Sequence, residues 1–187
     1  EMFRVVIQLG AILAVVVLYF KKLWPFCADN GRDSGFSRHF RWPVVRLWCK
    51  IIVACVPAAV LGLLLDDWLD AHLYNSITVA LMLIIYGIAF ILIERRPRVP
   101  TTTKLSRITY KQALIVGAWQ VLALIPGTSR SGSTIIGGLL CGMSRPAASQ
   151  FTFFLAIPVM AGASGLKLVK FLAKGGVFTL AEISALL

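Results

Sequence analysis

Apolar residues in this chain come in long blocks, cut by short polar and charged stretches. A helix needs about 20 residues, within roughly 17–25, to cross the hydrocarbon core of a bilayer. Blocks at about 5–20, 51–65, 77–93 and 151–168 approach that length, so the pattern predicts four membrane spans. Each is slightly short, and flanking Trp and Lys side chains can extend it by reaching back to the interface. The last stretch, 177–187, predicts the start of a further helix. Residues about 112–143 break the pattern. Ala113–Ile125 is apolar but thirteen residues long, roughly 20 Å at helical rise, too short to cross. It ends at Pro126-Gly127-Thr128-Ser129-Arg130-Ser131-Gly132-Ser133-Thr134, and a second short apolar piece, Ile135–Met143, leads to the polar turn Ser144-Arg145-Pro146. Two half-length helices meeting at such a stretch predict a re-entrant or broken helical hairpin, tolerated only where it is buried in protein or lines a wet cavity.

Composition agrees. Hydrophobic residues make up 58% and charged residues 14%, with a mean hydropathy of +0.83, against roughly 45–50% and 25% in soluble chains. The expected class is an all-α, polytopic integral membrane protein, with residues 1–187 forming one incomplete transmembrane domain. That excludes a disordered polyelectrolyte, a collagenous repeat and a disulfide mini-protein. The four cysteines, Cys27, Cys49, Cys55 and Cys141, show no paired spacing, so neither a disulfide framework nor a zinc site is expected. The first residue is Glu1 and no basic-flanked signal peptide precedes the first apolar block. The chain therefore reads as a piece of something longer.

Charge orients the spans. The net charge is +11, and it is concentrated in two connections. Residues 21–50 hold Lys21, Lys22, Arg32, Arg38, Arg41, Arg46 and Lys50, while 94–111 hold Arg95, Arg96, Arg98, Lys104, Arg107 and Lys111. Residues 66–76 hold Asp66, Asp67 and Asp70 and no Lys or Arg. The positive-inside rule makes the first two cytoplasmic and the third external. Trp24, Trp42, Trp48 and Trp68 stand in or beside these connections as interfacial anchors. The basic loops read as topology signals and lipid headgroup contacts rather than a nucleic-acid surface, because no nucleic-acid motif accompanies them.

Arg130 is the one charged residue between Lys111 and Arg145. A charge near bilayer depth costs several kcal/mol unless it is paired or hydrated. The eight acids are Glu1, Asp29, Asp33, Asp66, Asp67, Asp70, Glu94 and Glu182, and none lies inside an apolar block. The partner is then either an acid outside this chain or an anionic ligand. Around Arg130 stand the hydroxyls of Thr128, Ser129, Ser131, Ser133 and Thr134. Gly127 and Gly132 would allow tight turns that aim N–H groups inward. A helix expected to start near Ser133 would point its positive end at the same place. Forked guanidinium, hydroxyls and helix N-terminus together describe a phosphate site. The competing reading is an Arg that snorkels to the interface, with Ser and Gly serving helix packing. Gly138-x-x-x-Gly142 and Ala161-Gly162-Ala163 read as packing of that kind. Residues 127–134 also match the P-loop pattern except that Ser133 replaces its lysine. A membrane helix rather than a strand precedes them, so a nucleotide fold is rejected. His39 and His72 fall in connections on opposite faces and read as surface residues.

The stretch Pro126–Thr134 resembles the P-G-x-S-R-S-x-x-T signature of bacterial undecaprenyl-diphosphate phosphatases, the bacitracin-resistance family. Val5–Val16, Pro57–Gly62, Ile108–Ala113 and Ser144–Ser149 with the block to Met160 agree with it. The resemblance implies a bacterial plasma (inner) membrane enzyme built from two inverted repeats, each with a re-entrant hairpin. It would hydrolyse undecaprenyl diphosphate to the monophosphate lipid carrier reused in cell-wall synthesis, and so confer bacitracin resistance. Carried over by position, Ser129, Arg130 and Thr134 are catalytic, and Gly127, Thr128, Ser131, Gly132 and Ser133 contact the diphosphate. Arg130 would clamp the diphosphate, Ser129 would donate a hydrogen bond or act as nucleophile, and Thr134 would bond a phosphate oxygen. The resemblance also implies Mg²⁺ or Ca²⁺ as cofactor, a polyprenyl diphosphate lipid as partner, and leaves a homodimer open. Two features depart from it. The family's Glu/Gln-x-x-x-Glu and Ser-Ser-Thr-Gly-His motif of the first repeat does not occur in this sequence, and Arg4 stands where the family commonly has Glu. The 187-residue chain alone is accordingly expected to be inactive, which phosphate release from a C55 diphosphate by the purified chain would refute. A transporter or flippase for an anionic polyprenyl-phosphate lipid is the alternative, since broken helices facing a midplane site also mark transporters.

Overall fold

The computed structural model describes residues 2–25, 41–95 and 99–173. The expected helix at 177–187, the motif-free part of the first basic loop and His39 lie outside them. Among the described residues there are six α-helices: α1 Met2–Leu23, α2 Trp42–Leu73, α3 Ser76–Arg95, α4 Tyr110–Val121, α5 Arg130–Leu140 and α6 Arg145–Ala173. The protein is an all-α, polytopic membrane protein. Among the described residues three stretches are long and apolar enough to cross a bilayer: Trp42–Leu65, Ser76–Arg95 and Arg145–Gly165.

Two helices outrun the apolar blocks that announced them. α2 starts at Trp42, with Pro43 in its first turn, and continues through the three aspartates to Leu73. The external connection expected at 66–76 therefore shrinks to Tyr74 and Asn75. No Pro or Gly stands between Leu63 and Asn75, and Asn75 then starts the next helix: its Oδ1 accepts from the Thr78 N–H at 2.8 Å, while its Nδ2 donates to the His72 carbonyl at 3.2 Å. α6 begins at Arg145 because Ser144 caps it, the Ala147 N–H lying 3.4 Å from Ser144 Oγ.

From the tight turn at Tyr74 and Asn75, α2 and α3 open as two arms. The α4–α5 hairpin fills the space between them, with α4 on α2 and α5 on α3. Its base is knotted by Gln112, which forms a capping box with Thr109 and whose Nε2 donates to the Cys141 carbonyl at 3.1 Å. The connection before α4 joins the same knot, with Thr101 and Thr102 N–H groups both bonded to the Gly142 carbonyl. The tip points towards the turn joining the arms. Gly117 makes the close approach to α2 possible, since a Cβ there would lie 2.2 Å from the Ala54 carbonyl oxygen. On the far side α6 packs against α5, α2 and α1. The main core sits there, around Ile51, Ala54, Ala113, Val116, Phe151, Phe154 and Leu155, with Tyr19 of α1 edge-on to Phe154 at 5.2 Å.

Candidate anion site at the hairpin tip

The chain reverses at the tip through a type II turn. The Thr128 N–H bonds the Ile125 carbonyl at 3.1 Å, with Pro126 and Gly127 in the central positions. Gly127 has φ +88°, which this turn requires at its second central residue. A Cβ at Gly127 would also come 2.6 Å from the Val79 carbonyl oxygen of α3. The turn and the docking thus both demand glycine.

α5 begins at Arg130, three residues earlier than the sequence pattern suggested. Ser129 is its cap: the side-chain oxygen accepts from the Gly132 N–H at 3.2 Å. Gly132 is consequently not a turn residue. It lies inside the first helical turn, where its lack of a side chain admits the Phe90 ring, 3.0 Å from where a Cβ would be. With Gly132 capped, the N–H groups of Arg130 and Ser131 are the first-turn donors that no helical carbonyl can reach.

The predicted residues separate into two groups. Thr128, Ser129, Arg130 and Ser131 gather at the open turn, where Ser129 and Ser131 are exposed and their oxygens lie 3.4 Å apart. Thr128 Oγ1 is buried there without a hydrogen-bond partner. Among the described residues no carboxylate pairs with Arg130. Ser133 and Thr134 belong to a buried seam instead. Ser133 Oγ lies 3.0 Å from the Tyr86 hydroxyl and 3.1 Å from the Ser129 carbonyl oxygen. Thr134 Oγ1 donates back to the Arg130 and Ser131 carbonyls and accepts from Thr152 Oγ1 at 3.0 Å. Its hydroxyl is thereby bonded within the protein and helps to hold the turn.

Sequence reasoning missed Tyr86, Thr152 and Gln120. Gln120 is 2% exposed, and both of its amide heteroatoms lack partners. It shares a buried face with Ala113, Val116 and Gly117. The available signal was its being the lone amide of an apolar half-helix, and Tyr86 likewise carries the single hydroxyl between Thr78 and Glu94. Gly142 is a second correction. It is not a packing glycine but ends α5 in the left-handed region at φ +87°. The Met143 N–H bonds the Gly138 carbonyl and the Gly142 N–H the Leu139 carbonyl, a Schellman closure. Gly138 does pack, against Ala148 of α6, whereas a Cβ at Gly162 would meet no other element within 4 Å among the described residues.

A sequence model of the family described as Bacitracin resistance protein BacA matches residues 1–187. The chain belongs to that family. Curated relatives include an undecaprenyl-diphosphatase of Enterococcus faecalis (strain ATCC 700802 / V583), 60% identical over 189 residues, covering 100% of this chain and 66% of the relative. A second from Enterococcus faecalis is 55% identical with the same coverage. One from Streptococcus gordonii is 54% identical, covering 100% of this chain and 65% of the relative. The chain thus spans just under two thirds of the length of these relatives.

Ca²⁺ and Mg²⁺ take about six or more oxygen ligands, with carboxylates foremost. The open turn offers hydroxyls beside a cation, and no group of three His, Cys, Asp or Glu able to hold a metal lies together among the described residues. These residues do not fit a dedicated metal cage, and none of the steps below passes through one.

Proposed function

We propose that the protein acts in hydrolysing undecaprenyl diphosphate to undecaprenyl phosphate and inorganic phosphate, recycling the lipid carrier of peptidoglycan synthesis. The observation that carries this reading is Arg130, placed at the start of a half-length helix with no counter-ion among the described residues. The fork of Arg130, the open N–H groups of the first turn of α5 and the hydroxyls of Ser129 and Ser131 make a donor set for a diphosphate. The polyprenyl tail would lie in the bilayer. In the reaction a water oxygen adds to the terminal phosphorus as the P–O–P bond breaks, and the bridging oxygen leaves with the lipid monophosphate. Charge on the phosphoryl oxygens would be held by donors already in place. Ser129 fits a donor better than a nucleophile, because its oxygen already accepts from the Gly132 N–H. The names of the relatives support the enzyme reading over the flippase.

The site's depth supports in-membrane chemistry. Tyr86, level with the first turn of α5, is near the middle of the twenty-residue α3. The α4–α5 hairpin is therefore re-entrant in this reading, one half of an inverted-repeat architecture. The tip faces the turn at Tyr74 and Asn75, while the base is closed by the exposed ion pair of Arg145 with Glu94. With residues 21–50 and 94–111 cytoplasmic and the 66–76 side external, the site opens to the outside of a bacterial plasma membrane. Arg130→Ala and Ser129→Ala in the full-length protein, assayed for phosphate release and for lipid movement in liposomes, test the reading. Hydrolysis should fall by about a hundredfold or more for Arg130→Ala; full hydrolysis in both variants would refute it.

A further inference from the structure

We infer that Tyr86 is a positioning residue for the anion-binding turn, acting through Ser133 on the cap of α5; this rests on the reading above. Tyr86 is the buried residue of α3, a helix whose other large side chains are mostly exposed. α3 meets the hairpin and the start of α6 along one stripe. Val79 backs onto Gly127, Tyr86 bonds Ser133, Phe90 fills the notch at Gly132, and Glu94 pairs with Arg145. These residues recur at steps of seven, four and four, which keeps them on one side of an α-helix. Tyr86 supplies the one buried polar link of that stripe.

The link ends at the site. The Ser129 carbonyl accepts from the Ser133 N–H at 2.9 Å and lies 3.1 Å from Ser133 Oγ. A carbonyl can only accept, so the serine proton goes to it when Tyr86 donates to the serine oxygen. The chain Tyr86 hydroxyl, Ser133 hydroxyl, Ser129 carbonyl then fixes the peptide that carries the cap. On one side of that peptide is the Ser129 hydroxyl, and on the other Arg130 leaves the helix. Packing alone would let the turn rotate or slide on the Phe90 ring; the directional bonds do not. In this role Tyr86 acts on the phosphate through Ser129 and Arg130.

The test uses the full-length protein in liposomes with a C55 diphosphate. Tyr86→Phe keeps the ring and deletes the hydroxyl, and the expected result is a kcat lowered about tenfold or more. KM and the thermal midpoint should change much less. Ser133→Ala should give a similar loss, and the double variant no further loss. Normal kcat in Tyr86→Phe beside a dead Arg130→Ala overturns the inference and leaves the proposed function standing. Normal kcat in Arg130→Ala removes the proposed function itself. A double variant whose loss is the product of the two single losses also overturns the inference, because the two hydroxyls would then act independently. If Tyr86→Phe fails to accumulate, normal kcat in Ser133→Ala is enough to reject it.

Discussion

In the proposed reading Arg130 is a guanidinium at mid-depth, costly to keep unless an anion binds beside it. Charge alone should not suffice there. Lys carries a point charge without the planar fork that grips two oxygens of one phosphate. Arg130→Lys is therefore expected to fold like the parent and still lose most phosphate release, about tenfold or more. Accumulation by gel filtration and initial rates check the two halves of that statement. Gln120 poses the opposite case. Its amide is buried and unpaired, a state that costs about 1–3 kcal/mol. Gln120→Leu should leave the thermal midpoint unchanged or raise it, and a clear drop would show that the amide has a partner within the fold.

The tip and the base of the hairpin each depend on one left-handed glycine. Gly127→Ala adds a strained φ and a clash with the backbone of α3. It should destabilise by roughly 1–3 kcal/mol and displace the site, seen as a lower thermal midpoint together with lost hydrolysis. Gly142→Ala strains the Schellman closure at φ +87° and sets a Cβ 2.6 Å from Thr101 Oγ1. Its cost should appear in the thermal midpoint, with the kcat of the folded fraction largely kept. The two long spans after the first basic loop and the half-length hairpin were legible because the apolar runs alone announce them. Where α5 begins was not. Ser129, Ser131 and Ser133 are equal candidates for its cap, and the choice is made by Phe90 and Tyr86 across the seam. The same is true of α2, whose aspartates read as an end although no Pro or Gly follows them before Asn75. Thr134 has the type and place the motif asks for, while its hydroxyl turns inward to Thr152, eighteen residues away, a pairing no local pattern announces.

On the scale of the molecule, the two arms and the hairpin form a wedge in a slot. The basic face closes that slot with backbone bonds around Gly142 and with the Glu94–Arg145 pair. The pair is exposed, so Glu94→Gln should change stability by less than about 1 kcal/mol and reduce its salt dependence. Sidedness can be read directly. In a background lacking the four native cysteines, a cysteine at Asn75 should react with an impermeant maleimide added outside intact cells. One at Thr103 should react only after the membrane is opened.

The order of these pieces along the chain has a consequence for how the protein is made. Both arms leave the ribosome before the segment that fills the gap between them. Until Ser133 emerges, Tyr86 sits in lipid with no hydroxyl to bond, and α3 is tethered by little more than the two-residue turn. A nascent chain halted at Lys104 should therefore exchange the amides of α3 faster than one halted beyond Met143, when the insert has dropped into place. The arms are a mould that waits for its casting.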